Sequence, residues 1–330
     1  MKVKPIKTEI TLTTITPIKR VVYFGTPEFA VPPLERLINS KFKPLLVVTQ
    51  PDRQQGRKLK LMPPPVKVLA QEHSIEVAQP ESLKEPSIIA KLTELKPDII
   101  VTAAYGGFLT KNILELPRLG CVNLHPSLLP KYRGATPINK ALFEGDTITG
   151  NTIFKMTPRM DDGPILLQKK LHIDEKDNYT TLSDKLSLEG GDLLLELLER
   201  LEKSEITPVE QNDKEASYCY KINKSDTIID WALDAKEIQR LVRGLALIPG
   251  AVTTFRERPL KIMEVEPVEL DSGQPAGTII EIEKTKDGGF IVACGKDSLK
   301  IKQVQAAGKR IMGSFEYNLG ARLEIGERLG

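Results

Sequence analysis

The segment Gly120-Cys-Val-Asn-Leu-His-Pro-Ser-Leu-Leu-Pro-Lys-Tyr-Arg-Gly134 decides how the first half of this chain is interpreted. Its first six residues have the pattern of a buried strand, and a loop of apolar and rigid residues follows. Asn123 and His125 are two residues apart, so on a strand both side chains leave the same face. The sequence therefore predicts two hydrogen-bond donors side by side at the end of a strand.

Such a pair of donors suits a carbonyl oxygen that becomes an oxyanion during acyl transfer, and one donor is typically worth about 3–4 kcal/mol. His125 donates best as an imidazolium, which a nearby carboxylate favours. Asp161 and Asp162 are the candidates for that carboxylate, and spacing alone does not choose between them. A structural interpretation also stays open, in which Asn123 caps a turn, His125 belongs to the core and Asp161-Asp-Gly163 is a turn.

Other apolar runs in the first half indicate an α/β fold. Residues 20–25 have the pattern of a strand that turns at Gly25 into a helix, and residues 44–50 and 98–104 are further strands. Alternation of strands and helices predicts a Rossmann-like, mostly parallel sheet with helices on both faces. Because the G-x-G-x-x-G pattern is missing after the first strand, a dinucleotide is not implied.

Ligands of such sheets bind beyond the carboxyl ends of the strands. Tyr105 and Gly106 fall where one predicted strand ends, and Asn123 and His125 fall at the end of the next. The two positions together predict a binding site at that edge of the sheet.

The second half has a different pattern. A long amphipathic helix over residues 180–203 closes the first domain, and residues 206–224 form a polar connector. A short helix at 236–243 precedes five strand-like runs, which predict a small barrel of the oligonucleotide-binding (OB) type. The predicted domains are a flexible extension (1–19), a catalytic domain (20–205), a linker (206–224) and an OB-like β-barrel domain (225–330).

Composition limits the class of protein. Lys and Arg number 47 against 44 Asp and Glu, and this net charge of +3 is too small to argue for nucleic acid by itself. The three cysteines are far apart, so neither a metal site nor a disulfide framework is expected. We expect a cytoplasmic, monomeric protein with no membrane segment. An organellar presequence within the first 19 residues is the alternative.

Residues 50–65 form a long, basic segment that ends in three prolines. Long loops inside a compact domain are usually functional, although a charge run by itself is more often a solvated surface. The segment supplies four candidate RNA-binding side chains: Arg53, Arg57, Lys58 and Lys60.

The motifs resemble the signature of the folate-dependent formyltransferases, in which an Asn, a His two residues later and an SLLP-type loop precede an Asp in a D-x-G setting. The matching residues here are Asn123, His125, Ser127-Leu-Leu-Pro130 and Asp161-Asp-Gly163. The resemblance assigns the catalytic carboxylate to Asp161, and Asp162 occupies a variable position. It also implies that Ser127, Leu128, Leu129 and Pro130 pack on the folate, with Tyr105 and Gly106 on its pteridine side.

Further motifs are similar to those of the family members that act on tRNA. They are Phe24-Gly-Thr-Pro-Glu-Phe-Ala30, Gln50-Pro-Asp-Arg53, Gly56-Arg-Lys-Leu-Lys-Leu-Met62 and Ile229-Asp-Trp231. This similarity implies 10-formyltetrahydrofolate as the formyl donor and the amino group of initiator methionyl-tRNA as the acceptor, for translation initiation. It implies that the basic segment reaches the acceptor stem and that the OB-like domain contacts tRNA.

Two other functions are kept as alternatives. A formyltransferase of an amino sugar nucleotide could share the catalytic residues and the two-domain layout, and the basic segment argues against it. A noncatalytic RNA-binding protein could have the same fold without turnover. The chain also departs from its relatives at Leu247-Ile-Pro-Gly250, so no aromatic contact is inferred there.

Overall fold

A computed structural model describes residues 17–55, 60–285 and 287–330, with the side chain of Gln55 left out. Most strands of the N-terminal half have two to five residues. The strands are β1 (Val21–Gly25), β2 (Leu46–Val48), β3 (Arg53–Gln55), β4 (Lys60–Met62), β5 (Glu76–Ala78), β6 (Ile99–Ala103), β7 (Cys121–His125), β8 (Arg133–Gly134), β9 (Ile148–Lys155) and β10 (Ile165–His172).

The central sheet has the strand order β10-β9-β7-β6-β1-β2-β5. Strands β1, β2, β5, β6 and β7 pair in parallel, whereas β9 is antiparallel to β7 and β10 is antiparallel to β9. The apolar runs predicted to be strands form the buried middle of this sheet because both of its faces are covered. The prediction of a mostly parallel sheet is confirmed.

The N-terminal half also contains helices on both faces of this sheet. Val21 and Tyr23 of β1 pack into one core cluster, and Val22 and Phe24 pack into another. The helices are α1 (Val31–Ile38), α2 (Pro65–Glu72), α3 (Pro86–Leu95), α4 (Lys111–Leu114), α5 (Pro137–Glu144) and α6 (Tyr179–Glu202). The first cluster includes residues of α1 and α6 and the second includes residues of α3 and α4, which confirms the predicted helices on both faces of the sheet.

The predicted linker is ordered against the first domain. Its residues Tyr218–Cys219 form β11, which pairs in parallel with β8. Gly134 of β8 has φ +122°, and a Cβ atom there would lie 2.0 Å from the carbonyl oxygen of Cys219. Glycine is therefore required where the linker strand lies on the loop that follows β7.

The C-terminal half begins with α7 (Ala235–Gly244) and continues as an antiparallel sheet. The strands are β12 (Ala251–Phe255), β13 (Arg258–Val268), β14 (Ile279–Ile282), β15 (Phe290–Ala293), β16 (Ser298–Ala306) and β17 (Met312–Gly313). Their order in the sheet is β12-β13-β16-β15-β14, with β17 beside β16 and the short helix α8 (Ser314–Ala321) packed next to it. The five predicted strand-like runs are therefore confirmed.

The sheet of this OB-like domain is not closed by strand pairing between β12 and β14 within the described residues. The end of the chain lies between these two edges instead. Gly330 N donates to Thr254 O (3.0 Å), and Leu329 N donates to Gly277 O (2.9 Å). The expected barrel is therefore an open antiparallel sheet whose edges are bridged by the C-terminal residues.

The two halves contact each other directly. Asn139 of α5 is buried and donates from Nδ2 to the carbonyl oxygen of Gly244 at the end of α7 (2.7 Å). Phe143 of α5 packs against the core of the C-terminal half, and Arg243 donates to Asp177 O (2.6 Å). Two hydrogen bonds, one of them buried, and an aromatic contact thus connect the two domains.

In the described ranges, no helix combines the length and the apolar character that crossing a membrane requires.

We expect Asn139→Ala to lower the free energy of unfolding by about 1–3 kcal/mol, because it leaves a buried carbonyl oxygen without its donor. Trp231, the single tryptophan, lies in the C-terminal core, so its fluorescence in urea reports on the domain across the interface. Lys140→Ala on the same helix is the control. It removes a partly exposed ion pair with Glu144 and should cost less than about 0.5 kcal/mol. An unchanged urea midpoint for Asn139→Ala would contradict a stabilising contact between the two domains at Asn139.

Candidate active site

Strand β7 sets the direction of the two predicted donors. Val122 and Leu124 pack into the core cluster that contains α6, whereas Cys121 packs into the cluster on the other side of the sheet. By strand alternation, Asn123 and His125 leave the sheet on the side of Cys121. His125 is the last residue of β7, so its side chain lies at the carboxyl edge, where the α/β fold was expected to bind a ligand.

The ring of His125 is buried and held at one nitrogen. Its Nε2 lies 2.9 Å from the carbonyl oxygen of Tyr132, and because a carbonyl only accepts, Nε2 must carry a proton. Its Nδ1 faces Asp161, with 3.8 Å between Nδ1 and Oδ2. That distance is too long for a hydrogen bond but short enough for strong attraction between an imidazolium and a carboxylate.

Asp161 lies on a tight turn between β9 and β10. Its φ is +50°, and its Oδ2 accepts a hydrogen bond from Gly134 N (2.8 Å). Asp162 points elsewhere and pairs with Thr157 and Arg159. The structure therefore brings Asp161, and not Asp162, next to His125.

Gly163 explains why this turn contains a glycine. A Cβ atom at this position would lie 1.8 Å from the carbonyl oxygen of Lys155 on β9. Any side chain would push the turn away from β9, and Asp161 would move with it. The glycine of the D-x-G pattern is therefore a packing requirement of the site.

A buried threonine on the neighbouring strand contacts the carboxamide of Asn123. Thr102 Oγ1 lies 2.9 Å from Asn123 Oδ1 and 2.9 Å from Val122 O. With its oxygen turned toward Thr102, the carboxamide presents its N–H groups away from β6, as a hydrogen-bond donor to a ligand requires.

The Ser127–Pro130 loop is held by internal hydrogen bonds. Thr152 Oγ1 donates to Ser127 O (2.6 Å) and accepts from Leu129 N (3.1 Å). Ser127 is fully buried and donates to Lys131 O (2.6 Å), so its hydroxyl is used within the loop. Leu129 is buried as well, which leaves Leu128 and Pro130 partly exposed.

Tyr105 and Gly106 contribute backbone rather than side chain to this edge. The Tyr105 ring is buried and packs edge-on against Phe24, with 5.1 Å between ring centroids. Burial raises the pKa of Tyr105 to about 12. Gly106 is exposed with φ +83°, so only the main chain of this turn is available to a ligand.

The cysteines do not supply a nucleophile. Burial raises the pKa of Cys121 and of Cys294 to about 12, and burial also raises the pKa of Cys219. A thiol with a raised pKa carries almost no thiolate near neutral pH. None of the three cysteines is therefore poised to act as a nucleophile.

The basic segment is partly a hairpin. Strand β3 pairs antiparallel with β4, and the base of the hairpin is fixed by an ion pair between Lys67 and Asp52 at 2.9 Å. Lys60 is exposed, and Arg53 lies 3.6 Å from Glu81. The two remaining candidate tRNA-binding residues, Arg57 and Lys58, lie outside the described residues.

Sequence reasoning missed the residues that hold the site in place. The carbonyl oxygen of Tyr132 fixes His125, and Gln211 and Ser217 of the linker contact the two loops that carry Asp161 and Tyr132. None of them belongs to a pattern with a known spacing. A polar residue in a linker carries no local signal of what it contacts.

We expect Thr102→Val to lower the free energy of unfolding by about 1–3 kcal/mol, because the buried hydroxyl that contacts Asn123 is lost. Thr49→Val is the matched control. Thr49 is fully buried at the end of β2, and its hydroxyl has no hydrogen-bond partner among the described residues, so the change should be neutral or stabilising. Urea unfolding followed by circular dichroism measures both, and equal effects would contradict a specific role for the Thr102 hydroxyl.

Comparison with known proteins identifies the family. Residues 19–198 match the model of formyl transferases, and residues 221–322 match the formyl transferase C-terminal domain. The chain is 42% identical over 310 residues to the methionyl-tRNA formyltransferase of Geobacter metallireducens, covering 94% of this chain and 98% of that protein. It is 44% identical over 308 residues to the methionyl-tRNA formyltransferase of Caldanaerobacter subterraneus, covering 93% and 98%.

Solved structures share the fold at low sequence identity. An N-formyltransferase from Helicobacter canadensis, in complex with folinic acid and dTDP-3-aminofucose, matches with a TM-score of 0.63 at 19% identity, covering 86% of this chain and 99% of that chain. HypX from Aquifex aeolicus, in complex with tetrahydrofolic acid, matches with a TM-score of 0.61 at 15% identity, covering 93% and 48%. With both domain models matched and relatives aligned over nearly their full length, the chain belongs to the formyl transferase family.

Proposed function

We propose that this protein transfers the formyl group of 10-formyltetrahydrofolate to the amino group of initiator methionyl-tRNA, giving the formylated tRNA used in translation initiation. The observation that carries the proposal is the Asp161–His125 pair at the carboxyl edge of the sheet, with Asn123 leaving the same face of β7. The full-length similarity to methionyl-tRNA formyltransferases supports the choice of acceptor.

Asn123 and His125 stabilise the negative charge that develops on the formyl oxygen when the amine attacks. In the imidazolium form both ring nitrogens carry protons, and the proton on Nε2 is already donated to Tyr132 O. Nδ1–H is therefore the donor left for the oxyanion. Asp161, 3.8 Å from Nδ1, is placed to attract positive charge on the ring without forming a hydrogen bond to that nitrogen.

The attacking amine needs little activation. A free α-amino group has a pKa of about 7.7–8.0, so a usable fraction of the amine is neutral near pH 7. As the carbon–nitrogen bond to the amine forms, the amine gives up one proton, and the N10 atom of the folate takes one proton as its bond to the formyl carbon breaks. Asp161 is about one-fifth exposed and is placed to relay this proton through water.

The folate lies against the Ser127–Pro130 loop in this proposal. Leu128 and Pro130 supply a partly apolar surface, while Ser127 and Leu129 hold the loop from inside through Thr152. The exposed main chain at Tyr105 and Gly106 offers peptide groups to a pteridine ring. Such a combination of an apolar wall and a few fixed polar groups is typical of small-molecule sites.

The tRNA is bound through the basic hairpin and the C-terminal domain. Arg53 and Lys60 lie on β3 and β4, and Arg57 and Lys58 lie between these strands in the sequence. Cationic side chains on such a hairpin suit the phosphates and the exposed bases of an RNA end.

An amino sugar nucleotide as the acceptor is the main alternative for the fold. The solved sugar formyltransferases share the architecture at less than 20% identity, which gives no argument about the acceptor. Identity above 40% to the tRNA enzymes, together with the basic hairpin, favours tRNA. A noncatalytic RNA-binding protein would have no reason to keep Asp161 in a left-handed conformation beside His125.

We expect Asn123→Ala, His125→Ala and Asp161→Asn each to lower kcat by about 10²–10³-fold, because each loses an oxyanion donor or its charge support. Formylation of charged initiator tRNA with 10-formyltetrahydrofolate as the donor is the measurement. His172→Ala, an exposed histidine on β10, is the control and should keep the full rate. Full activity in all three active-site variants would remove these residues from the reaction.

We expect the combined change Arg57→Gln, Lys58→Gln and Lys60→Gln to weaken tRNA binding and to flatten its dependence on salt. Each lost phosphate contact reduces the slope of log K against log salt by about 0.7–0.9. Binding is measured at several salt concentrations, and folate binding should not change. Arg20→Gln, Lys43→Gln and Lys96→Gln, exposed residues just before β1, β2 and β6, form the control. Equal slopes for both sets would exclude the hairpin from tRNA binding.

A further inference from the structure

Gln211 of the predicted linker binds the turn that carries Asp161, and we call this contact the clamp. Gln211 Nε2 donates to the carbonyl oxygens of Asp161 (2.9 Å) and Gly163 (2.8 Å). These two carbonyl groups belong to the first and the last residue of the Asp-Asp-Gly turn. A single side-chain amide therefore holds both ends of the turn.

The orientation of the Gln211 amide is fixed by a buried arginine. Arg133 is 3% exposed at its side chain, and its Nε donates to Gln211 Oε1 (3.0 Å). Because a guanidinium only donates, the amide oxygen must face Arg133 and the NH₂ group must face the turn. Arg133 is held in turn by Asp213 of the linker at 2.9 Å.

The linker also holds the partner of His125. Tyr132 N donates to Ser217 Oγ (2.9 Å), and β11 pairs with β8 immediately after Tyr132. The carbonyl oxygen of this same Tyr132 fixes His125 Nε2. The linker thus supports the candidate site at two places. Gln211 binds the turn that carries Asp161, and Ser217 binds the main chain of Tyr132, whose carbonyl oxygen contacts His125.

We propose that Gln211 is a positioning residue of the formyl transfer reaction, which holds Asp161 against His125 from the interdomain linker. This inference rests on the proposed function. Asp161 has φ +50°, a left-handed conformation that is uncommon for residues other than glycine. The two hydrogen bonds from Gln211 stabilise the turn in this conformation, together with the close approach of Gly163 to β9.

Without the clamp, the turn relaxes and the Asp161 carboxylate moves away from Nδ1 of His125. The ring of His125 then loses its neighbouring carboxylate in the transition state, so the rate falls. The substrates still bind, because Gln211 contacts neither the Ser127–Pro130 loop nor the basic hairpin in the described residues. The effect should therefore be on kcat rather than on KM.

The sharpest variant is Gln211→Glu. It keeps the shape of the side chain and an acceptor for Arg133, but it replaces the donating NH₂ by a carboxylate oxygen facing two carbonyl oxygens. We expect kcat to fall by about 10–100-fold, as for a misplacement of a catalytic group by about 1 Å. Gln211→Leu, which removes all three hydrogen bonds, should have a similar effect. Asn212→Asp is the control, because it introduces the same negative charge one residue away while aspartate still caps the short turn at 213–215. It loses only the exposed hydrogen bond from Asn212 Nδ2 to Glu215 Oε1.

Two readouts separate positioning from general stability. In an Asp161→Asn background, Gln211→Glu should add less than about 2-fold, because residues that act as one unit are not additive. The second readout is nitrogen-15 NMR of the histidine rings. The chain has three histidines, so the His125 signals can be assigned by substitution, and they should change in Gln211→Glu and not in Asn212→Asp.

A full kcat in Gln211→Glu would overturn the inference, and so would a full additional loss in the Asp161→Asn background. Failure of the proposed function has a different signature, because the wild-type protein would then not formylate initiator methionyl-tRNA at all. Even in that case, unchanged His125 signals in a folded Gln211→Glu variant would count against the clamp. Circular dichroism and Trp231 fluorescence establish that each variant is folded.

Discussion

The candidate active site depends on the placement of one buried imidazole beside one carboxylate on a tight turn. His125 is fixed at Nε2 by Tyr132 O, so its Nδ1 can face only one direction. Asp161 reaches that direction because Gly163 lets the turn approach β9 and because Gly134 N binds its Oδ2. At 3.8 Å the carboxylate lies beside the ring without forming a hydrogen bond to Nδ1, so that nitrogen stays available to a ligand.

This arrangement explains why the chain is built from two domains and an ordered linker. The sheet of the first domain positions Asn123 and His125 through β7, but the loops that follow β7 and β9 are irregular and need support. The linker supplies that support through β11, Ser217 and Gln211 before it enters the C-terminal half. The same route brings α7 against α5, where Asn139 and Phe143 fasten the domains. The C-terminal domain, which we propose to bind tRNA, is thus connected through packed residues to the candidate active site.

The fold of the first domain was predictable from local patterns. Uninterrupted apolar runs such as residues 20–25 and 98–104 predicted buried parallel strands, and the structure confirms them because both faces of the sheet are covered. The five strands of the C-terminal half were also predictable, since Pro and Gly separate their apolar runs. Its closure was not predictable, because the bridge between β12 and β14 comes from the last residues of the chain, far away in sequence.

The sequence by itself determined which residues are candidates for the chemistry: Asn123 and His125 share a face because the period of a strand is two, and the D-x-G pattern assigns Asp161 by resemblance. Only the tertiary structure shows that Asp161, and not Asp162, lies next to His125, and which peptide groups hold the two side chains. The physical reason is the separation along the chain between the residues that make each contact. A side-chain direction along one strand follows from local geometry, whereas the contact between β7, the β9–β10 turn and a linker some 50 residues further on is set by packing. No local pattern records such packing.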